Sequence, residues 1–429
     1  MMRISLLTLS LLLLSSNLQA RWGLPSFKER RKLHPLQLRP YQVKRYADHG
    51  KVDVISAQGK RARGLYITPF WLKRVGVEQT IRLLRRAHLD AVVLDIKDDY
   101  GHVLWRSKTA LSAKVQWPII SDPKRMLRRF HEAGIYVIAR LVAFKDSKLP
   151  FARPDLSMRL TYKPQRLFWA KEGWLDHYSP EVRDYLIDLA LEWQAFGADE
   201  IQLDYIRFPK GRTGKYGLWL HQKNDKRTRA KLIADFLDRL DRALKLPLSV
   251  DVFGLTTLVD GDPRGLGQTL EQMAKHVEAI SPMMYANGMT GYFKGNRLTE
   301  NIYAILQCGL WRARQKTPQI VLRPYLQSYP DNVPFFGPKF IIKQVEAVER
   351  GGSDGFLFWN SSMKNRVLVQ GLQTMGKKRL TAFGSDPKQH RRQRPPKWCK
   401  APGTGNVFDP VPKKKKKRRS VRQHDRTLP

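Results

Sequence analysis

Acidic residues are in short supply in this chain: 38 Asp and Glu stand against 78 Lys and Arg, a formal net charge of +40. That surplus points to polyanionic partners, whether phosphate-rich lipid surfaces, anionic glycans or nucleic acid. Cysteine is almost absent. Cys308 and Cys399 make one pair at most, which is no disulfide framework, and the sequence leaves their pairing open. Long apolar runs are missing too. Leu6 to Leu14 is the nearest approach and falls short of the ~20 residues of a membrane span. Several catalytic signatures are lacking. His131-Glu132 is followed by Ala, Gly and Ile rather than by the second His of a zinc helix, and Gly211–Lys215 lacks P-loop spacing. There is no G-x-G-x-x-G turn, the histidines are scattered, and no cofactor or metal is assigned.

The ends of the chain differ from its middle. Residues 1–20 read as a signal peptide: Arg3 opens it, the Leu-rich run follows, and Ser15, Ser16 and Ala20 prepare a cut before Arg21. This predicts export to the periplasm or beyond, and argues against nucleic acid as the partner. Residues 21–62 form a basic extension and 63–376 the folded domain. Residues 377–429 form a second basic tail, with Lys413 to Arg419 all cationic. Self-repulsion and low apolar content predict that this tail, Pro395–Pro429 above all, stays unstructured and is dispensable for the fold. The tail is expected to hold an anionic envelope surface instead.

Between Arg63 and Gly376 one pattern recurs, a short strand and then an amphipathic helix. Strands are expected at Gly64–Pro69, Asp90–Lys97, Ile135–Phe144, Glu200–Phe208, Leu248–Phe253, Ala279–Tyr285, Gln319–Gln327 and Gly355–Asn360. Helical periodicity marks Val77–Ala87, Pro123–Ala133 behind an Asp122 cap, a helix opened by Ser179-Pro180-Glu181 and running to Phe196, Ala230–Ala243, Gly267–Val277, Leu298–Leu310 and Pro338–Glu349. Eight strand–helix units predict an α/β fold, a (β/α)8 TIM barrel, rather than an open sheet.

The fourth strand is the most informative. Glu200, Gln202 and Asp204 share one face and Ile201, Leu203 and Tyr205 the other. A polar face suits the inside of a barrel, with Asp204 at the C-terminal mouth where barrel enzymes work. Asp251 on the next strand is the natural partner carboxylate, and Asp95 on the second strand is the third candidate. Paired carboxylates with aromatics fit glycoside hydrolysis. Trp71, Trp105, Tyr285 and Trp359 are candidates to stack on sugar rings, and Tyr66, Arg140, Arg323 and Gln327 are expected to line the same mouth. Arg207 could keep a carboxylate ionised. Asp98, in the run Asp95-Ile-Lys-Asp98-Asp99, lacks the alternation of a calcium loop and reads as substrate-facing or loop-capping.

These stretches resemble the bacterial putative glycosyl hydrolase domain, a family of uncharacterised barrel proteins allied to glycosidases. The match rests on Gly64 to Thr68, Ala91 to Asp99, Tyr178 to Val182 with Asp199 to Pro209, Asp251 to Gly254, Ile280 to Tyr285 and Arg323 to Gln327. Met284-Tyr285 and Trp359 are also similar to chitinase-like barrels. The resemblance implies a TIM barrel with Asp204 in the acid position. Two functions follow as expectations. One is an exported glycosidase acting on a cell-envelope or extracellular polysaccharide. The other is a non-catalytic barrel that binds a glycan or an anionic surface.

Overall fold

Eight parallel strands form the framework: β1 (Arg63–Ile67), β2 (Ala91–Lys97), β3 (Tyr136–Val142), β4 (Glu200–Asp204), β5 (Leu248–Phe253), β6 (Ala279–Met283), β7 (Val321–Leu322 and Tyr325–Gln327) and β8 (Phe356–Trp359). The computed structural model describes residues 54–163, 173–289, 298–333, 335–384, 395–405 and 407. Each strand pairs in parallel with the next. β8 returns to β1 through Arg63↔Phe356, Gly64↔Leu357 and Leu65↔Phe358, so the sheet closes. The expected eight-stranded barrel is therefore the fold.

The barrel helices, one following each strand, are α1 (Pro69–Arg86), α2 (Pro123–Glu132), α3 (Pro180–Phe196), α4 (Arg229–Ala243), α5 (Leu270–Met273), α6 (Leu298–Lys316), α7 (Pro338–Arg350) and α8 (Arg366–Met375). Four begin on side-chain caps. Thr68, Asp122, Ser179 and Thr228 accept the backbone N–H of Trp71, Arg125, Val182 and Lys231, which satisfies donors the helix itself leaves orphaned. Proline follows the first three caps, where its fixed φ is an advantage. The Thr68–Pro69 start also lengthens α1 beyond the expected Val77; the chain kinks at Gly76, φ 79°. β4 stops at Asp204 rather than Phe208, because Tyr205 turns into the left-handed region at φ 51°. β7 is broken at Arg323-Pro324, since proline has no N–H for the ladder. α5 is one short turn instead of eleven residues, and α8 was not anticipated.

Alternation along the strands separates two cores. Outward residues such as Val92, Leu94, Val137, Ile201, Leu203, Val250 and Ile280 pack against the helices. Inward residues Tyr66, Ala91, Val93, Tyr136, Ile138, Tyr325 and Leu357 fill the barrel.

Both expected extensions reach into the fold. Ala57–Lys60 is a helical turn under the barrel, where Gly59 O accepts from Arg323 Nη1 at 2.7 Å. Residues 395–405 and 407 are not free of the barrel, which corrects the expectation that this stretch stays unstructured. Cys399 is disulfide-bonded to Cys308 on α6, Arg312 Nη1 donates to Lys400 O, and Val407 N donates to Leu258 O at 3.0 Å. The signal peptide, residues 21–53 and the Lys413–Arg419 run lie outside the described residues. Among the described residues no helix is long and apolar enough to cross a membrane.

Candidate active site

The inward polar residues stack in layers. At the base, Glu200 accepts from Arg323, Ser249 and Tyr136, and all four are buried. One layer up, Gln202 donates to Ser281 Oγ at 3.3 Å and accepts from Tyr325 Oη at 2.6 Å. At the C-terminal mouth a single guanidinium gathers the carboxylates. Arg140 Nη1 pairs with Asp95, Nη2 with Asp204 at 2.5 Å, and Nε lies 3.9 Å from Asp251 Oδ2. The other oxygen of Asp95 accepts from Tyr66 Oη at 2.6 Å. Tyr66 in turn stacks on Trp359, with ring centroids 3.8 Å apart, and the Arg140 guanidinium lies 5.0 Å from the Trp359 centroid.

Burial sets the electrostatics of this cluster. Removal from water pushes Asp95 up to about 6, despite Arg140 and the Tyr66 hydrogen bond. Asp251 is pushed well above the usual carboxylate range, by burial first and then by the neighbouring Asp204 charge. Its Oδ1 is buried and has no hydrogen-bond partner among the described residues. The Arg140 guanidinium, surrounded by acids, is held well above its ordinary value against its own burial. The mouth therefore holds both an ion-paired carboxylate, Asp204, and one that favours its proton, Asp251.

The structure brings Asp95, Arg140, Asp204, Asp251, Tyr66 and Trp359 together, with Tyr285 part-buried beside them at the end of β6. It sends other candidates elsewhere. Arg323 serves the base layer, at the far end from the mouth. Asp98 Oδ1 accepts the backbone N–H of Tyr100, Gly101 and His102, and Oδ2 lies 2.9 Å from His102 Nδ1, so it organises its own loop. Gln327 accepts from Asn287 N and donates to the Tyr329 and Asp331 carbonyls, tying rim loops together. Trp105 is buried behind the barrel, donating to Glu192 at 2.6 Å, and is not a sugar platform. Lys97 is turned off the inner face by a register shift after Asp95 and pairs with Asp146 at 2.9 Å. Arg207 stands on the rim, within 4.9 Å of the Tyr205 ring centroid and 5.1 Å of that of Trp174. Lys145, Tyr205 and Trp174 were not singled out from sequence. Lys145 pairs with Asp99 at 2.9 Å and lies 4.7 Å from the Tyr205 centroid. Its position just past β3, matching that of Arg207 past β4, was the available signal. Among the described residues no group of three His, Cys, Asp or Glu converges to hold a metal.

A family model described as "Putative glycosyl hydrolase domain" matches residues 64–365. A hypothetical protein from Ruminiclostridium thermocellum is 31% identical over 44% of this chain and 97% of its own, with a TM-score of 0.39. The PgaB (BpsB) glycoside hydrolase domain from Bordetella bronchiseptica is 15% identical over 75% of this chain and 98% of its own, with a TM-score of 0.52. Alpha-L-fucosidase isoenzyme 2 from Paenibacillus thiaminolyticus is 14% identical over 73% and 49%, with a TM-score of 0.50. No curated protein matches the chain.

Proposed function

The chain belongs to the family of glycosyl hydrolase-like domains whose model spans residues 64–365, and on that premise we propose that it is a glycoside hydrolase working through the carboxylates at the barrel mouth. The observation that carries this is the pair Asp204 and Asp251 on adjacent strands, both in reach of Arg140. Touching one guanidinium, they lie no farther apart than the ~9.5 Å that glycosidase carboxyl pairs span at most. Their surroundings push them toward different jobs, as a glycosidase needs. Asp251, which favours its proton, is the general acid for the leaving oxygen. Asp204, ion-paired with Arg140, is the nucleophile or the base that activates water. Asp95, bonded to Tyr66 and Arg140, fixes the guanidinium. The Tyr66–Trp359 stack offers a flat face for a sugar ring.

The substrate under this reading is a cell-envelope or extracellular polysaccharide, met after export; a disulfide is in keeping with an oxidising compartment. The test is turnover across a panel of such polysaccharides. Asp204→Asn and Asp251→Asn should each lower it by ~10² or more with the fold intact. Near-normal turnover by Asp204→Asn would remove that residue from the mechanism. A second reading has its own observation: Asp95, Asp204 and Asp251 are no more than 5% exposed. On that view the cluster is a structural plug and the barrel binds glycans without cleaving them. Saturable binding by the wild type with no turnover on any glycan would favour it.

A further inference from the structure

Arg207 is an unusual cation. It is only 7% exposed, yet among the described residues it forms no ion pair with a carboxylate. Among the described residues the guanidinium makes one hydrogen bond, from Nη1 to the Phe208 carbonyl at 3.2 Å. Aromatic rings hold the rest of the group, with Phe253 at 4.5 Å, Tyr205 at 4.9 Å and Trp174 at 5.1 Å from its central carbon. An isolated charge taken out of water is expensive, and a guanidinium caged by rings but short of acceptors leaves part of that cost unmet. Burial draws Arg207 below its ordinary value, offset in part by Tyr205 and Asp204.

A second basic feature adjoins it. Lys210 Nζ lies over the same Phe253 ring, 5.9 Å from its centroid, and lines a cavity of about 700 Å³. The other cations of that cavity are Lys215, Arg229 and Arg264; Pro209 and two glycines complete the wall, and among the described residues no acid lines it. Arg229 is fixed by bonds to the Gly265 and Gly214 carbonyls at 2.8 and 2.9 Å, and it lies over Phe208 and Trp219. The loops after β4 and β5, with the first residue of α4, supply these groups, so they stand at the same end of the barrel as Asp204 and Asp251. Four cations in one cavity repel one another, and they stay together at least cost when an anion is shared among them.

We propose that this rim is a subsite for an anionic substituent of the glycan, a carboxylate, sulfate or phosphate, held by Arg207 and the basic cavity beside it. The proposal rests on the glycosidase reading and deepens it by naming the substrate class: an acidic rather than a neutral polysaccharide. A planar guanidinium grips such oxyanions through two parallel N–H bonds, which a lysine cannot reproduce. Placed beside the carboxylates, the bound charge would set which sugar unit reaches Asp204.

The test is equilibrium binding to the full chain at about 0.15 M salt, where exposed charges are screened beyond ~8 Å. The probes are a galacturonate hexamer, its methyl ester, a sulfated hexasaccharide and a phosphorylated mannose oligomer. At least one acidic probe should bind ten-fold or more tightly than the neutral ester, and which one does identifies the substituent. Arg207→Gln should remove most of that probe's advantage over the ester, and Arg207→Lys should recover only part. Lys210→Ala with Arg264→Ala, both exposed, should weaken acidic probes several-fold without touching the core. The same charge loss on the helices outside the sheet, Arg86→Ala with Lys124→Ala, should not. Equal binding of acidic and neutral probes would overturn the proposal, as would equal losses in the two double variants. Charge-selective binding without hydrolysis of any acidic glycan would sink the glycosidase reading and leave the subsite standing. Hydrolysis of a neutral glycan without charge preference would do the reverse.

Discussion

Asp95 shows how burial and pairing compete at one residue. Arg140 and Tyr66 both favour its charged form, yet removal from water wins and lifts it from 3.8 to about 6. A carboxyl that binds its proton more tightly when folded adds stability below pH ~4 and loses it as pH rises through the folded value. Asp95→Asn is neutral at every pH, so its stability relative to wild type should improve between pH 4 and pH 7, by about 3 kcal/mol at most. Denaturant titrations at several pH values measure this, and a flat difference would mean that Arg140 fully compensates the burial. Asp251 pushes in the same direction, so the comparison is best repeated in the Asp251→Asn background. Legibility was good here. Alternation alone put Glu200, Gln202 and Asp204 on one face, and all three lie inside. It could not say at what height each group sits, which is why Arg323 was expected at the mouth and is found at the base.

At the scale of elements, the register shift at the end of β2 matters most. Without it Lys97 would follow Asp95 onto the inner face. With it, the lysine leaves the barrel lumen and forms a fully buried ion pair with Asp146, while Nζ also donates to Val142 O at 3.1 Å. Asp146 Oδ1 meanwhile accepts from Lys148 and Leu149, fixing the loop after β3 that carries Lys145. Removing one partner of a buried pair strands the other charge. Lys97→Met should therefore cost ~3–5 kcal/mol. Adding Asp146→Asn should return most of that loss. Chemical denaturation of the single and double variants decides the matter, and a mild single-variant effect would show that water reaches Asp146. The expected Asp90–Lys97 strand was accurate in extent. The shift within it was not legible, because a bulge depends on which neighbouring register gives the lysine an acceptor.

The described residues form a closed barrel strapped by residues 395–405 and 407. The Cys308–Cys399 bond spans 91 residues. A loop of that length, cross-linked, is worth about 4–5 kcal/mol in the chain-entropy picture. Reduction, or truncation after residue 394, should lower the melting temperature by several degrees, and truncation should lower it more. Truncation also removes the packing of part-buried Val407 against the core and the Lys400 carbonyl from Arg312. An unchanged melting temperature on truncation would mean that this segment contributes nothing to the fold. The expectation of an unstructured, dispensable Pro395–Pro429 rests on charge density and low apolar content. Charge density averages over the segment, and the few anchoring residues, Cys399 and Val407, do not register in it.

Local chemistry carried by the sequence alone was sufficient for the repeating strand and helix pattern, the helix caps at Asp122 and Ser179, and the polar inner face of β4. These follow from side-chain alternation and from backbone donors that need a nearby acceptor, both short-range effects. The convergence of Asp95, Asp204 and Asp251 on Arg140, the displacement of Lys97, the aromatic cage around Arg207 and the anchoring of residues 395–405 and 407 were settled only by the tertiary structure. Each depends on groups far apart in the chain sharing a desolvated space, where burial and pairing energies are decided by neighbours that the local sequence does not specify.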